Sequence, residues 1–348
     1  MLSREKQIVI VGAGIMGASI AYYLAQRGMN VTVLDSHQPA SGATGSAFGW
    51  ITSAVSDDSP DVFLRRAAVS DWQRLAAEIP ELWINWKGAM NYADVSQPAL
   101  TGNIQINQAT IVRMEPALNS PPEQALYVEK DGIIAPGVAT RILLSRAEQM
   151  GARLIYQTAG KAIIRDHDTV TGIETSTGRL NADCIILACG TGIPELAEIT
   201  GTSIPIVASP AILLRVSTAQ PVVNAIIAGD DMEVRHAQNG DLLVAEDYPE
   251  NGNVDAVVIA AIATIRNRLK GAENCTLIDQ SVGLRPTPAD GSPVIGFIDD
   301  SRGIYVAVMH PAVTCAATLG RLISDELITG NSGNLPEVYR PVRFHLER

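Results

Sequence analysis

Three glycines spaced as Gly12-x-Gly14-x-x-Gly17, followed by an aspartate at position 35, are the residues here with the most specific chemical meaning. Gly12 permits a tight turn, Gly14 lets the main chain approach a pyrophosphate, and Gly17 lets a helix pack closely on the strand before it. Unpaired N–H groups at the start of that helix favour phosphate charge. Asp35 can accept hydrogen bonds from a ribose. The chemistry is the holding of a dinucleotide. A second run, Gln38 to Trp50 (QPASGATGSAFGW), is rich in small residues. Main-chain amides in such a loop can reach an anion, and Ser41, Thr44 and Ser46 can add hydroxyl donors.

The elements that must position these residues are legible around them. A bare GxGxxG is weak, so its context matters. Gln7 to Val11 is a β-branched run that predicts a strand, and Ala18 to Arg27 has helical character. Gly28 suits the left-handed position after a last helical turn. Asn30 to Leu34 predicts the next strand, with Asp35 at its end. Strand, turn, helix, strand and acid stand in the order the fingerprint requires. Further on, Val62 to Glu78 and the end of Gly132 to Ala147 read as helices. Arg153 to Tyr156 and Lys161 to Arg165 read as strands, with a hairpin about Thr169 to Gly178. Asp183 to Ala188 is a nearly continuous apolar run closed by Cys189-Gly190-Thr191-Gly192, the pattern of a buried parallel strand and a glycine turn.

Other stretches differ. Trp83 to Ala117 carries scattered short strands and reads as an inserted segment. Ile204 to Val216 and Met232 to Glu246 read as strands of a more antiparallel region, with a hairpin signal at Asn239-Gly240. Val254 to Lys270 reads as an amphipathic helix. From Gly283 to Gly296 (GLRPTPADGSPVIG) the chain returns to a doubly wound character, followed by a strand at Gly303 to Val308 and a helix at Val313 to Leu327.

A chain of 348 residues that is 47% hydrophobic predicts a globular enzyme of two domains, or one large domain with an insertion. The net charge of −11 argues against nucleic acid and against an anionic membrane surface. No signal peptide and no transmembrane segment is expected. Cys184, Cys189, Cys275 and Cys315 form no CxxC and have no His at metal-ligand spacing. Free thiols in the cytoplasm are expected, and no metal.

Five segments together resemble the FAD-dependent amino-acid and amine oxidoreductases of the D-amino-acid oxidase, glycine oxidase and sarcosine oxidase type. They are VGAGIMGASIAYYLAQRG at Val11, ASGATGSAFGW at Ala40, DGIIAPGVATRILLSRAEQMGARL at Asp131, ADCIILACGTGIPEL at Ala182, and GLRPTPADGSPVIG at Gly283 with HPAVT at His310. The resemblance covers roughly half of the chain. It implies an α/β fold: a Rossmann-like FAD-binding domain with a mixed, largely antiparallel substrate domain inserted in two segments. The implied FAD-binding domain is residues 1–78, 130–203 and 279–348, and the substrate domain 79–129 and 204–278. It implies FAD held without a covalent bond. By position, Ile15 and Met16 would lie by the pyrophosphate, and Asp35 and Ser36 by the adenosine ribose. Ala43 and Thr44, then Phe48, Gly49 and Trp50, would follow the ribityl chain and ring. Ala162 would meet the adenine, Gly190 would approach the cofactor, and Val313 and Thr314 would lie by the pyrimidine edge of the flavin.

The resemblance also points to Arg285, placed where the family holds a carboxylate-binding arginine. A guanidinium gives a planar, bidentate match to that group. Pairing with Asp290 or another acid for structure is the alternative. His310 falls near the flavin ring and reads equally as a tuning residue or a structural one. The Pro311 that follows it has no N–H to offer the cofactor. Tyr248, after Asp247, can close the substrate pocket or simply pack. Arg235 and His236 are similarly placed, and Glu246 can bind a substrate ammonium or simply face solvent. Cys315 invites a covalent-flavin reading, but its surroundings favour a buried small residue. The expected reaction is dehydrogenation of the C–N bond of an amino acid or secondary amino acid bearing a carboxylate. The reduced flavin is reoxidised by oxygen or by a quinone or other carrier. Two rivals stand beside it: an NAD(P)-dependent dehydrogenase, and a flavin-binding subunit of a multi-chain amine or opine-type dehydrogenase. A homo- or hetero-oligomer is compatible with either family reading.

Overall fold

The computed structural model describes residues 2–93, 102–198, 201, 203–331 and 335–344. Part of the expected Trp83 to Ala117 segment therefore lies outside the described residues. A six-stranded sheet runs in the order Val294–Phe297, Ile304–Val308, Cys184–Leu187, Gln7–Val11, Asn30–Leu34, Arg153–Ile155. All its pairs are parallel except the first, a hairpin at the edge.

Alternate residues of these strands serve two cores. Ile8, Ile10, Val31, Val33 and Ile186 pack with the helices Ile15–Gln26, Val62–Glu78, Pro136–Gln149 and Ala312–Thr329. Val9, Val11, Leu34, Ile185 and Leu187 pack on the other side, against a three-stranded antiparallel sheet spanning 160–181. Burial on both faces is why the central strands read as unbroken apolar runs rather than alternating ones. The helices Ile15–Gln26 and Ala312–Thr329 meet closely, because Gly320 leaves room for Ser19, whose Oγ donates to the Ala316 carbonyl at 2.7 Å.

The second body is an eight-stranded sheet ordered Thr276–Pro288, Ile206–Ser217, Leu242–Asp247, Glu233–His236, Ile226–Ala228, Ala89–Asn91, Gln124–Val128, Ile104–Asn107. It is antiparallel except where Ile226–Ala228 pairs with Ala89–Asn91. The helices Val254–Arg268 and Gln108–Met114 cover one face through Ile111, Val258, Ala261 and Ile265. The long helix starts where the Asn253 side chain accepts from the Ala256 amide at 3.2 Å.

The hairpin signalled by Asn239-Gly240 forms: Met232 to Glu246 folds as two antiparallel strands about that turn. Residues 283–288, expected to open the return to the doubly wound sheet, instead finish a 13-residue strand that pairs along its length with Ile206–Ser217. The boundary expected at 279 therefore falls inside this strand. Pro286 and Pro288 look like turn residues in sequence, but this strand is at the sheet edge, where a missing N–H is tolerated. The chain rejoins the six-stranded sheet only at Val294.

Candidate active site

The C-terminal ends of the parallel strands and the uncovered face of the eight-stranded sheet enclose a cavity of about 1360 Å³. Ligand sites usually run ~300–1,000 Å³, so this one has room for a cofactor and a second ligand. Its position beyond the carboxyl ends of parallel strands is where α/β folds bind ligands.

The floor begins at the glycine turn. Gly12 has φ +114°, and a Cβ there would collide with the Ala188 carbonyl. A Cβ on Gly17 would collide with the Gly12 carbonyl, so Gly17 is off the cavity wall and serves the helix-on-strand packing expected of it. Gly14, Ile15 and Met16 line the cavity. The Ile15 amide donates to Thr44 Oγ1 at 3.1 Å. The remaining first-turn amides have no carbonyl within their own helix to bond. Asp35 lines the wall and clamps the turn, accepting from the amides of Ala13 at 2.6 Å and His37 at 2.8 Å. Ser36 sits beside it, its Oγ 2.8 Å from His37 Nδ1. Gly190, in the left-handed region at φ +59°, lines the same wall.

The loop of small residues forms one side. Ala43, Thr44, Phe48, Gly49 and Trp50 all reach the cavity. The loop is anchored to the floor by the Ala40 amide, which donates to the Ala13 carbonyl at 3.0 Å. Its far end is held by the fully buried Arg235. That guanidinium donates through Nε to the Phe48 carbonyl at 2.6 Å and through Nη2 to the same oxygen and to the Ile134 carbonyl at 3.2 Å. Burial pushes Arg235 down to about 9, helped by the nearby Arg215 charge. Arg235 is thus a structural tie rather than a substrate contact. Trp50 Nε1 donates to Asp131 at 2.7 Å, and its carbonyl accepts from Thr314 Oγ1 at 3.0 Å. Thr314 and Val313 line the wall at the start of the last long helix.

The strand register defines the roof. Residues directly opposite in a sheet share a face, and that face recurs every second residue. Arg285 faces Ser209, Gly283 and Asp247 flank Ala211, and Ala245 lies between Leu213 and Glu233. All of these except Ser209 line the cavity. Gly283 is where roof and side loop touch, since a Cβ there would meet the Ser46 Cβ at 2.9 Å.

Arg285 is held by Ser209 and Pro210. It donates through Nη2 to Ser209 Oγ at 3.1 Å and to the Pro210 carbonyl at 3.3 Å. Among the described residues no carboxylate pairs with it; Asp290, the alternative partner, is taken by Arg343 at 2.7 Å. His310 lines the cavity and its pKa is lowered by burial, then by the charges of Arg285 and Arg65, with Asp61 opposing. Its ring is uncharged at neutral pH.

Besides Gly17, two expected site residues are not on the wall. Ala162 lies beyond it, because a register shift between Gly160 and Ala162 leaves Ala159, Gly160 and Lys161 as the lining residues. Tyr248 follows the last residue of its strand and turns outward, 38% exposed. Among the lining residues that escaped the sequence reading are Arg65 and Glu233. Arg65, paired with Asp61 at 2.6 Å, looked like the polar face of a helix. Glu233 sits in an alternating Glu-Val-Arg-His strand whose even spacing from Arg235 was the available signal. Cys315 is buried within its helix, and burial pushes the thiol of Cys189, which does reach the wall, up to about 12.

The model of the DAO family, FAD dependent oxidoreductase, matches residues 7–326. The chain belongs to this family. It is therefore an FAD-dependent oxidoreductase of the group that includes amino-acid and amine oxidases. It is 28% identical over 275 residues to the 4-methylaminobutanoate oxidase (formaldehyde-forming) of Paenarthrobacter nicotinovorans, a match covering 72% of this chain and 32% of that protein. The chain thus spans about a third of that relative. It is 22% identical over 374 residues to one of the opine oxidase subunits of Agrobacterium tumefaciens (strain Ach5), over 99% of each. The crystal structure of glycine oxidase from Geobacillus kaustophilus shares the fold, with a TM-score of 0.86 at 20% identity over 98% of this chain and 100% of that one. Among the described residues of this DAO-family chain, no helix is long and apolar enough to cross a membrane and no acid, His or Cys cluster could hold a metal ion.

The cavity suits the family's cofactor. The glycine turn would be filled by any Cβ, helix amides and loop hydroxyls line one end, and an apolar and aromatic wall lines the other.

Proposed function

We propose that this chain dehydrogenates the C–N bond of an amino acid or secondary amino acid whose carboxylate is gripped by Arg285. The observation that carries this reading is an arginine on the cavity face, held in place by neutral oxygens and free of any acid partner among the described residues. A guanidinium so placed offers its remaining donors to a planar anion. FAD, when bound, supplies the hydride acceptor: the substrate gives up a hydride from Cα and a proton from nitrogen, and water hydrolyses the resulting imino acid to an oxo acid and ammonia or an amine.

The rest belongs to the chain's own residues. Gly14, Ile15 and Met16 would hold the pyrophosphate at the helix start, and Asp35 and Ser36 the ribose. Ala43, Thr44, Phe48, Gly49 and Trp50 would hold the ribityl chain and ring, with Gly190, Val313 and Thr314 closing the far end. Neither cavity-lining nor buried thiol is acidic enough to be a nucleophile, which supports a non-covalent cofactor. Arg285 orients the substrate, and the uncharged His310 can exchange a hydrogen bond beside it. The cofactor-holding unit is then 1–78, 130–203 and the chain after Pro288, with 79–129 and 204–288 forming the substrate unit.

The test is anaerobic bleaching of the flavin band near ~450 nm with D-, L- and N-methyl amino acids. The Arg285→Ala variant should stay yellow and lose roughly 30-fold or more of its rate with carboxylate substrates. A protein that stays colourless after FAD addition, or unchanged Arg285→Ala kinetics, would overturn the proposal. A second reading, a flavin-bearing subunit of a larger assembly, is favoured by the full-length likeness to the Agrobacterium opine oxidase chain. It predicts partner chains that co-purify and are required for turnover.

A further inference from the structure

The roof face that carries Arg285 also carries two carboxylates, Asp247 and Glu233, and both line the cavity. Between these charges the face is built from Gly283, Ala211, Ala245 and Leu213, of which only Leu213 is bulky. The side chains of Asp247 and Glu233 accept no hydrogen bond and join no ion pair among the described residues. Of the other acids on the wall, Asp35 is engaged by two amides and Asp231 by Arg268 at 2.8 Å, while Glu195 and Asp230 lie outside the strands of this face. Glu246 also borders the cavity; it lies opposite Ile212, on the alternate face of the sheet, and its charge acts on Glu233.

A carboxylate drawn out of water without a partner is costly, and burial with the Asp247 and Glu246 charges pushes Glu233 up to about 7. Arg285 opposes that rise without bonding to it. Glu233, retained in this condition on the same cavity face as a carboxylate grip and next to the exposed Asp247, calls for a counter-charge that arrives with the ligand. The sheet sets the span. Glu233 lies three strands and four residues from Arg285, roughly 20 Å between α-carbons at ~4.8 Å per strand and ~3.4 Å per residue. The two side chains reaching inward shorten this to roughly 10 Å, on the scale of an amino acid whose side chain ends in a cation.

We propose that Glu233, flanked by Asp247, reads a second positive charge on the substrate, so that the preferred substrate is an amino acid or secondary amino acid whose side chain ends in an ammonium or guanidinium group. This rests on the Arg285 reading above. Arg285 takes the α-carboxylate, Glu233 takes the distal cation, and the Cα–H between them is fixed by both ends.

The experiment compares charged ligands with neutral isosteres on the full-length, FAD-loaded protein. Lysine is set against norleucine and arginine against citrulline, each as D, L and N-methyl forms, following anaerobic flavin reduction. The cationic member of a pair should reduce the flavin with an apparent second-order rate constant at least ~10-fold higher. Glu233→Gln should cut that preference roughly 10- to 100-fold, the scale of losing a charge-assisted hydrogen bond in a desolvated site, and Asp247→Asn should cut it less. Equal reduction by the neutral isosteres, or a preference unchanged in yellow, folded Glu233→Gln, overturns the side-chain assignment. It leaves the Arg285 grip standing, because both members of each pair carry the same α-carboxylate. Failure of every carboxylate ligand to reduce the flavin removes both. The wild-type comparison decides the matter even if a variant does not fold.

Discussion

Glu233 keeps its proton to an unusually high pH, and that has a consequence for stability as well as for binding. Its folded pKa of about 7 lies above the ordinary 4.5, so between these values the folded state binds more protons than the unfolded one. Stability is therefore lost as pH rises from 4.5 to about 7, and stays lost above. Glu233→Gln keeps the shape and removes the ionisation. The cofactor-loaded variant should melt higher than wild type at pH ~8, with the gap closing toward pH ~5. Thermal melts at the two pH values check this, and a variant that melts lower at both would show the carboxylate to be a structural contact. His310 behaves in the opposite sense: its lowered pKa means the unfolded state takes up its proton first, so it contributes stability above 6.5 that is lost as pH falls.

At the scale of elements, packing tolerances decide. The helices Ile15–Gln26 and Ala312–Thr329 approach because residue 320 has no side chain, and a Cβ there would press into Ser19 and Tyr23. Gly320→Ala should therefore destabilise by about 1–3 kcal/mol through overpacking, despite alanine's better helix propensity. A lowered melting temperature with unchanged substrate preference is the expected result. The glycine turn at Gly12 and the strands around it were legible in sequence because each signal is local: a β-branched run, a turn, a helix and an acid within thirty residues. Arg285 was legible as a residue but not as part of its strand. Thr276–Pro288 is fixed by long-range pairing with Ile206–Ser217, and Pro286 and Pro288 conceal it in sequence. Tyr248 and Ala162 were misplaced for a related reason. One residue of phase, at a strand end or a bulge, decides which side of a sheet a side chain meets. Glu233 escaped because recognising it requires knowing which face of a four-residue strand looks into the cavity.

At the scale of the molecule, Arg235 ties the roof to the side loop and to the strand Gly132–Ile134 by donating to carbonyls of both. It reaches no substrate position, but it fixes Phe48 and the left-handed Gly49, whose Cβ-free space the Ile134 carbonyl fills. Arg235→Ala leaves those carbonyls unpaired inside the protein. Its expected effect is on cofactor retention: FAD should dissociate at least roughly tenfold more readily, seen as flavin lost on gel filtration. Retention equal to wild type would show that the loop holds its shape unaided.

The cavity has its floor in one sheet and its roof in another, and roof and loop touch where Gly283 meets Ser46. A nucleotide lodged between them, as proposed, would act as a shared keystone, so melting either half would require releasing it. Calorimetry should then record a single cooperative transition for the yellow protein, and two separate ones after the flavin is stripped.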